Sequence, residues 1–369
     1  MNGKISKLER SFFEARSGQF YTTQSQKLNI ISDNNGFCRT KNMIQWLRGV
    51  VNIFIRFCLL TMAGWSVLAI LFSNLRGFLR PWIAGIFAVG CLVALFGRYS
   101  NRWTRSGFLV ACVAVLVWWL LIPPSNNRNW QPDVALLPWA DIQGSMVTIH
   151  NIRNCDYRSE TDYTVRHYDR TFDLATLKSI DLSLVYWGSP YIAHTMLSFG
   201  FEGDGYVCFS VETRKEIGEK YSTIKGFFRQ YELIYVVADE RDLIGLRTNY
   251  RGEQVYLYRL NEPADLVRKV FLDYLREVNS LKDRPEWYNA LTGNCMTSFR
   301  ILKAPYNPDA RLDWRLIANG FIDEMLYERK AIDTSLPFQE LKKRSLINEK
   351  AKGLDKFPDF SQLIRIEQP

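Results

Sequence analysis

Residues 57–73, FCLLTMAGWSVLAILFS, form an apolar run that contains no charged side chain. Two similar runs follow at residues 81–97, PWIAGIFAVGCLVALFG, and at residues 108–122, FLVACVAVLVWWLLI. A helix that crosses a bilayer core needs about 20 apolar residues, and about 17 is near the minimum. The first two runs reach that minimum, and the third reaches it with its uncharged flanks. The sequence therefore predicts three transmembrane helices over residues 57–122.

The distribution of positive charge predicts the orientation of these helices. The formal net charge is +9, and residues 1–56 hold nine Lys and Arg. The segment between the second and third apolar runs contains Arg98, Arg102 and Arg105. Cytoplasmic segments carry an excess of Lys and Arg, so residues 1–56 are expected to be a cytoplasmic tail. The region after residue 122 is then expected to lie outside the cytoplasm, on the inner membrane's periplasmic side.

The remainder of the chain resembles one globular domain with short flanking segments. Residues 123–138, which begin PPSNNRNWQP, are predicted to be a linker, and residues 341–369 a polar C-terminal tail. Between them, residues 139–340 form the expected domain. Alternating apolar and polar residues predict strands, at residues 146–152, 161–168, 174–187, 193–201, 206–212, 233–237 and 254–259. Helices are predicted at residues 263–280, 294–302 and 309–329. The fold class is α+β, an antiparallel sheet with packed helices.

The basic charge and the seven cysteines do not point to nucleic acid or metal. There is no helix-turn-helix, zinc-finger or RNA-binding signature, so a nucleic-acid partner is not expected. There is no CxxC pair and no Cys/His cluster with zinc spacing, so neither a metal nor a cofactor is predicted. In an oxidising compartment Cys155 and Cys208 could pair, which would leave Cys295 free.

Cys295 and His194 are the strongest candidates for chemistry. Cys295 follows a Gly293-Asn294 turn and precedes a helical pattern, which would place its thiol at a helix N-terminus. Backbone N–H groups at such a terminus lower a thiol pKa and can hold an oxyanion. The alternative is a small buried hydrophobic residue, which is what most cysteines are. His194 is one of three histidines, and it could instead be an ordinary core or surface residue.

A hairpin turn near Gly203 suggests a partner for His194. The Asp-Gly turn joins two alternating runs and pairs positions whose numbers sum to about 406, so His194 faces Glu212. A carboxylate opposite an imidazole can hold it as a base. If the register of the hairpin shifted by one or two residues, Ser210 or Arg214 would face His194 instead of Glu212.

Two further polar residues are weaker candidates for a supporting role. Arg247 could bind an anionic head group or could only pair with Glu240, and Tyr288 lies in an otherwise apolar region close to Cys295 in the sequence.

The segments HTMLSFGFEGDGYVCFSVETR, YVVADERDLIGLR, VYLYRL and PEWYNALTGNCMTSF resemble the Lnb-type periplasmic domain over about residues 139–330. The order of His and Cys also resembles the lecithin–retinol acyltransferase group, a permuted relative of NlpC-type and papain-like cysteine enzymes. The resemblance implies a papain-like domain and a lipoprotein N-acyltransferase. It further implies that Cys295 is the nucleophile, that His194 is base and acid, that Glu212 orients His194, and that Asn294 precedes the nucleophile as in the family.

Three functions remain open at this point. The first is an acyltransferase that acts on membrane phospholipid or lipoprotein through an acyl-Cys295 thioester. The second is a cysteine hydrolase of the same fold, a peptidase or phospholipase. The third is a non-catalytic, membrane-anchored binding domain. An apolar entrance lined by Phe199, Phe201 and Trp287 would favour acyl chains as the substrate.

Overall fold

A computed structural model describes residues 43–73, 77–97, 101–289, 313–316 and 318–366. The chain divides into two compact units, and each is described by itself. The first unit contains apolar helices, and the second, from Trp119 onwards, contains an α+β domain.

Three helices long enough to cross a membrane occupy the first unit: α1, Met43–Leu71; α2, Leu79–Phe96; and α3, Arg102–Leu121. Their large apolar side chains point outward, as Trp82 and Ile86 do with 72% and 73% of their surface exposed. The three predicted helices are therefore present. Helix α1 begins before the apolar run at residue 57, because it already includes Met43 and continues through Arg48 and Arg56. A helical backbone satisfies its own hydrogen bonds, so a charged side chain does not end it.

The second unit is built on an eight-stranded sheet with the order β1-β2-β9-β8-β7-β6-β10, and β5 pairs with β2. The strands are β1 Trp139–Gln143, β2 Met146–Arg153, β5 His167–Asp173, β6 Leu177–Tyr186, β7 His194–Phe201, β8 Gly205–Arg214, β9 Glu232–Ala238 and β10 Gln254–Arg259. A separate two-stranded sheet contains β3 Asp156–Tyr157 and β4 Tyr163–Thr164. The prediction of one strand at residues 161–168 is wrong, because that segment is divided between β4 and β5.

The large sheet is mixed rather than wholly antiparallel, which corrects the sequence prediction. Every described pair of strands is antiparallel except β2 and β9, which meet in parallel at Arg153 and Ala238. After β5 has paired with β2, the chain passes through the β6–β8 meander before β9 enters beside β2 in the same direction. Parallel neighbours require a long connection of this kind.

Helix α5, Ala264–Asp283, covers one face of the sheet. Its buried side chains, Val267, Val270, Phe271, Tyr274 and Leu275, recur at helical spacing and pack on the aromatic and aliphatic residues of the sheet. This period predicted the helix at residues 263–280, and the structure confirms it. Burying such side chains stabilises the fold by about 1.5–3 kcal/mol each before entropy is counted.

The C-terminal segment is packed on the sheet, with Leu341 on the α5 face and the residues from Ile347 onwards on the opposite face, so its description as a polar tail is wrong. After α4, Glu240–Gly245, and α6, Ile322–Glu328, come three short helices: α7 Phe338–Ser345, α8 Asn348–Ala351 and α9 Phe360–Leu363. Their apolar residues, Ile347, Ala351, Phe360 and Ile364, are buried against the sheet. Helical periodicity is recognised over a window of about 11–18 residues. These helices are shorter than that window, so the sequence does not show their apolar spacing.

The segment at residues 123–138 is also packed and does not behave as a free linker. Trp130 and Val134 are buried. Arg214 on β8 donates hydrogen bonds to the carbonyls of Val134 and Ala135, at 2.9 and 2.8 Å, and its guanidinium stacks on the Trp130 ring. These contacts attach the segment to the sheet.

Candidate functional site

The hairpin of β7 and β8 aligns the polar residues of the candidate site. Gly203 and Gly205 adopt φ values of 82° and 78°, a conformation that suits glycine at a tight turn. Beyond the turn, Phe201 pairs with Gly205 and Met196 with Ser210. This is the register that the sequence predicts. Residues directly opposite or two apart share a face of the sheet, so His194, Ser210 and Glu212 lie on the same face.

Ser210 bridges the imidazole and the carboxylate. His194 Nε2 lies 2.7 Å from Ser210 Oγ, and Ser210 Oγ donates to Glu212 Oε1 at 2.8 Å. The sequence predicted a direct approach of Glu212 to His194, with Ser210 as an alternative. The structure brings all three together, with the hydroxyl between the other two.

Arg247 completes this group. Its guanidinium donates to Glu212 Oε1 at 3.0 Å, and its side chain is only 5% exposed. Arg247 lies in a π-helical turn, Leu246–Tyr250, that follows α4; such turns are frequent at functional sites. The proposed alternative pairing with Glu240 is wrong, because Glu240 binds Arg365. We call His194, Ser210, Glu212 and Arg247 the polar relay.

The hydrogen bonds determine which nitrogen of His194 carries the proton. An ionised carboxylate can only accept, so the single hydroxyl proton of Ser210 goes to Glu212. Ser210 Oγ must then accept from His194, which places a proton on Nε2. Nδ1 keeps its lone pair and is the basic atom of a neutral ring.

The charges around the relay keep the ring neutral. Burial lowers the pKa of His194 to about 3, and the positive charge of Arg247 acts in the same direction. Burial alone would raise the pKa of Glu212, but the positive charge of Arg247 holds it well below its usual range. The relay is therefore a neutral imidazole, a hydroxyl, a carboxylate and a guanidinium.

A cavity of about 730 Å³ lies beyond the relay. Glu253 connects the cavity to the polar relay. It lines the cavity, and its Oε2 lies 3.9 Å from Arg247 Nε. The other walls contain aromatic rings and two cations, namely Tyr186, Trp187, Tyr256, Phe321, Arg251 and Lys342. The volume suits a small-molecule group or a lipid fragment.

Other predicted site residues lie elsewhere. Arg214 binds the segment at residues 123–138, as described above, and is not part of the relay. Tyr288 lies beside β9, where its N–H donates to the Tyr231 carbonyl at 2.9 Å. Phe199 and Phe201 are buried in the core on the α5 face, so they do not form the apolar entrance that would favour acyl chains. Cys295 and Asn294 lie outside the described residues.

The described cysteines of the second unit do not offer an alternative nucleophile. Cys155 and Cys208 are both free and buried. Burial raises the pKa of each thiol to about 12, so neither forms a thiolate near neutral pH. Within the described ranges no group of three or more His, Cys, Asp and Glu side chains could hold a metal ion.

One residue of the site was not found from the sequence. Asn319 hydrogen-bonds both backbone groups of Ala193, the residue before His194. Asn319-Gly320 is recognisable in the sequence as a turn signal. The contact with Ala193 spans 126 positions, and no local pattern indicates it.

Comparison with known proteins supports one assignment. No curated protein and no solved structure gives a match. Residues 163–320 match the family model described as the Lnb N-terminal periplasmic domain, and this range includes the polar relay and Asn319. The match covers less than half of the chain and is narrower than the resemblance at residues 139–330. Together with the three apolar helices, this match to the Lnb N-terminal periplasmic domain over residues 163–320 fits a membrane protein with a periplasmic domain.

Proposed function

We propose that the chain is a membrane-anchored cysteine acyltransferase with a papain-like, permuted NlpC-type domain. Cys295 is the nucleophile, and the substrate is a membrane phospholipid or a lipoprotein. One observation carries the proposal: the polar relay holds His194 as a neutral imidazole with an unprotonated Nδ1. An imidazole held in one tautomer by a partner on its other nitrogen is what a general base requires.

The reaction has two halves that balance. In the first, Nδ1 of His194 takes the thiol proton while Cys295 Sγ attacks the ester carbonyl. The ester C–O bond breaks, and the leaving alkoxide receives that proton. In the second half, an amine attacks the thioester, the C–S bond breaks, and Nδ1 carries the amine proton to the departing thiolate.

The three spans give the domain access to such substrates. Positive charge in residues 1–56 favours a cytoplasmic N-terminus in the inner membrane, and an odd number of spans then places the domain in the periplasm. Phospholipids and immature lipoproteins are both available at that membrane surface. The cavity beside the relay, with its aromatic walls, is the proposed place for the substrate.

Substitution of the two reacting residues tests the proposal. The purified full-length chain is incubated with diacylated lipopeptide and phospholipid in detergent micelles, and intact mass reports an acyl adduct. We expect Cys295→Ala and His194→Ala to abolish the adduct and the transfer. The matched controls are Cys208→Ala, which removes an unreactive thiol, and His150→Ala, which removes a histidine paired with Asp169 outside the relay. Both controls should retain activity.

The outcome also separates transferase from hydrolase. Transfer of the acyl group to the lipopeptide amine supports the proposal. Release of free fatty acid or cleaved peptide without amine acylation would replace it with the hydrolase. If folded Cys295→Ala forms as much product as the wild type, the proposed nucleophile is wrong.

A further inference from the structure

Asn319 forms two hydrogen bonds with the backbone of the residue immediately before His194. Ala193 N–H donates to Asn319 Oδ1 at 2.9 Å, and Asn319 Nδ2 donates to the Ala193 carbonyl at 2.6 Å. Both residues are buried, with 7% and 1% of their surfaces exposed. A buried backbone N–H or C=O that loses its partner is costly because it is desolvated without compensation, so this two-bond contact is a strong constraint on Ala193.

The position of the contact explains why an amide is needed there. The described pairs between β7 and β8 begin at Met196 opposite Ser210, two residues short of His194. On the other side, β6 pairs with His194 through Val185. An amide side chain offers one acceptor and two donor hydrogens. Asn319 can therefore act as a substitute strand partner where the ladder to β8 has ended.

Gly320 forms further hydrogen bonds with residues that precede Ala193. Its N–H donates to the Tyr191 carbonyl at 3.0 Å, and its carbonyl accepts from the Tyr186 hydroxyl at 2.7 Å. A Cβ atom at Gly320 would overlap the Pro190 carbonyl oxygen. The two residues thus hold the end of the loop that leads into β7, and that loop also forms a wall of the cavity.

We propose that Asn319 is a positioning residue that sets the His194 imidazole against Ser210. The Nε2–Oγ distance of 2.7 Å leaves little tolerance, because hydrogen bonds weaken quickly with distance and angle. Movement of the Ala193 backbone would break this bond and release the ring from its single tautomer. The effect of Asn319 on catalysis rests on the proposed function, but its effect on the ring does not.

The test compares two asparagines that make the same kind of contact. Asn279 accepts from Ala140 N–H at 2.7 Å and donates to the Ala140 carbonyl at 2.8 Å, on β1 and away from the relay. Asn319→Ala and Asn279→Ala therefore each remove two backbone hydrogen bonds, and both should lower thermal stability. A role of Asn319 that is only structural would leave the two variants alike.

The decisive readout is nitrogen NMR of the full chain with ¹⁵N-labelled histidine rings. There are three histidines in the sequence, so the signals of His150 and His167 serve as internal references and His194→Gln assigns the third. We expect wild type and Asn279→Ala to show one protonated and one unprotonated nitrogen for His194. In Asn319→Ala the two signals should move toward each other, and the rate of acyl-Cys295 formation should fall on the order of 10²-fold.

A second variant covers the case in which Asn319→Ala does not fold. Asn319→Asp keeps the size of the side chain and its acceptor for Ala193 N–H, but it loses the donor to the Ala193 carbonyl, and it should shift the His194 signals in the same direction. Unchanged His194 signals in a folded Asn319 variant overturn the inference. If the wild type forms no acyl adduct, the proposed function fails while the NMR comparison still decides the role of Asn319.

Discussion

At the scale of single residues, the protonation of His194 depends on side chains that do not all touch its ring. Ser210 fixes the tautomer because its own proton is committed to Glu212. Arg247 keeps Glu212 ionised and disfavours a second positive charge on the ring. A base built in this way is available over a wide range of pH.

We expect His194 to remain neutral from pH 8 to below pH 5. Burial and Arg247 lower its pKa to about 3, whereas an unperturbed histidine titrates near pH 6.5. A ¹⁵N NMR titration of the full chain measures this directly. Arg247→Met should raise the pKa of His194, because the variant removes the positive charge. A wild-type midpoint near 6.5 would contradict the electrostatic description of the relay.

The same pKa difference predicts how stability depends on pH. The folded pKa of His194 lies below the unfolded one, so between pH 6.5 and 3 the unfolded chain binds more protons. The contribution of His194 to the free energy of unfolding is complete above pH 6.5 and is lost as pH falls toward 3, by at most about 1.4 kcal/mol for each pKa unit. Thermal unfolding of His194→Gln at several pH values should show a weaker dependence over that interval than wild type.

At the scale of elements, the C-terminal segment is a structural part of the domain. Arg365, just after α9, reaches Asp181 on β6 at 2.8 Å and Glu240 at the start of α4 at 2.6 Å. The guanidinium also stacks on the Tyr206 ring. Asp181 and Glu240 are each only 1% exposed. Arg365 therefore joins two buried carboxylates from separate elements, and Arg259 also pairs with Asp181.

Removing this cation should be costly. We expect Arg365→Ala to lower the free energy of unfolding by about 3–5 kcal/mol, the range for breaking a buried ion pair. The matched control is Arg344→Ala on α7, where Arg344 binds Glu340 at 2.8 Å with both side chains exposed; that change should cost less than about 0.5 kcal/mol. Thermal melts of the detergent-solubilised chain compare the two. Equal losses would mean that the segment does not hold the fold.

At the scale of the whole molecule, the three apolar helices bear on which compartment the α+β domain can reach. The three candidate helices of the described residues, if all cross the bilayer, place the segments before and after them on opposite sides. From the nine Lys and Arg of residues 1–56 we expect the N-terminal segment to be cytoplasmic. The proposed chemistry requires this arrangement, because the substrates are expected at the periplasmic surface.

Protease protection tests this orientation. Protease added to intact spheroplasts should degrade an epitope tag at the C-terminus and spare one at the N-terminus. After the cells are lysed, both tags should be degraded, which controls for the susceptibility of each tag. Protection of the C-terminal tag in intact spheroplasts would reverse the topology and remove the periplasmic setting of the proposed reaction.

Local patterns in the sequence were sufficient for the features that depend on local periodicity. Uncharged apolar runs determined α1–α3, helical spacing determined α5, and the Asp-Gly turn with its flanking alternation determined the register of β7 and β8. In each case the deciding interactions lie within one element or across one short turn. Burial of one face then leaves a single acceptable register, because a shift of one residue would turn every apolar side chain to the wrong side.

Only the tertiary structure decided which polar groups meet. The Ser210 bridge, the choice of Glu212 rather than Glu240 by Arg247, the contact of Asn319 with Ala193, and the burial of the C-terminal segment all join positions on separate elements. Polar side chains carry no period that reveals a distant partner, and several geometries would satisfy each of them equally in isolation. The membrane anchor and the hairpin thus follow from the sequence, whereas the state of His194 follows from the packing of four separate segments around it.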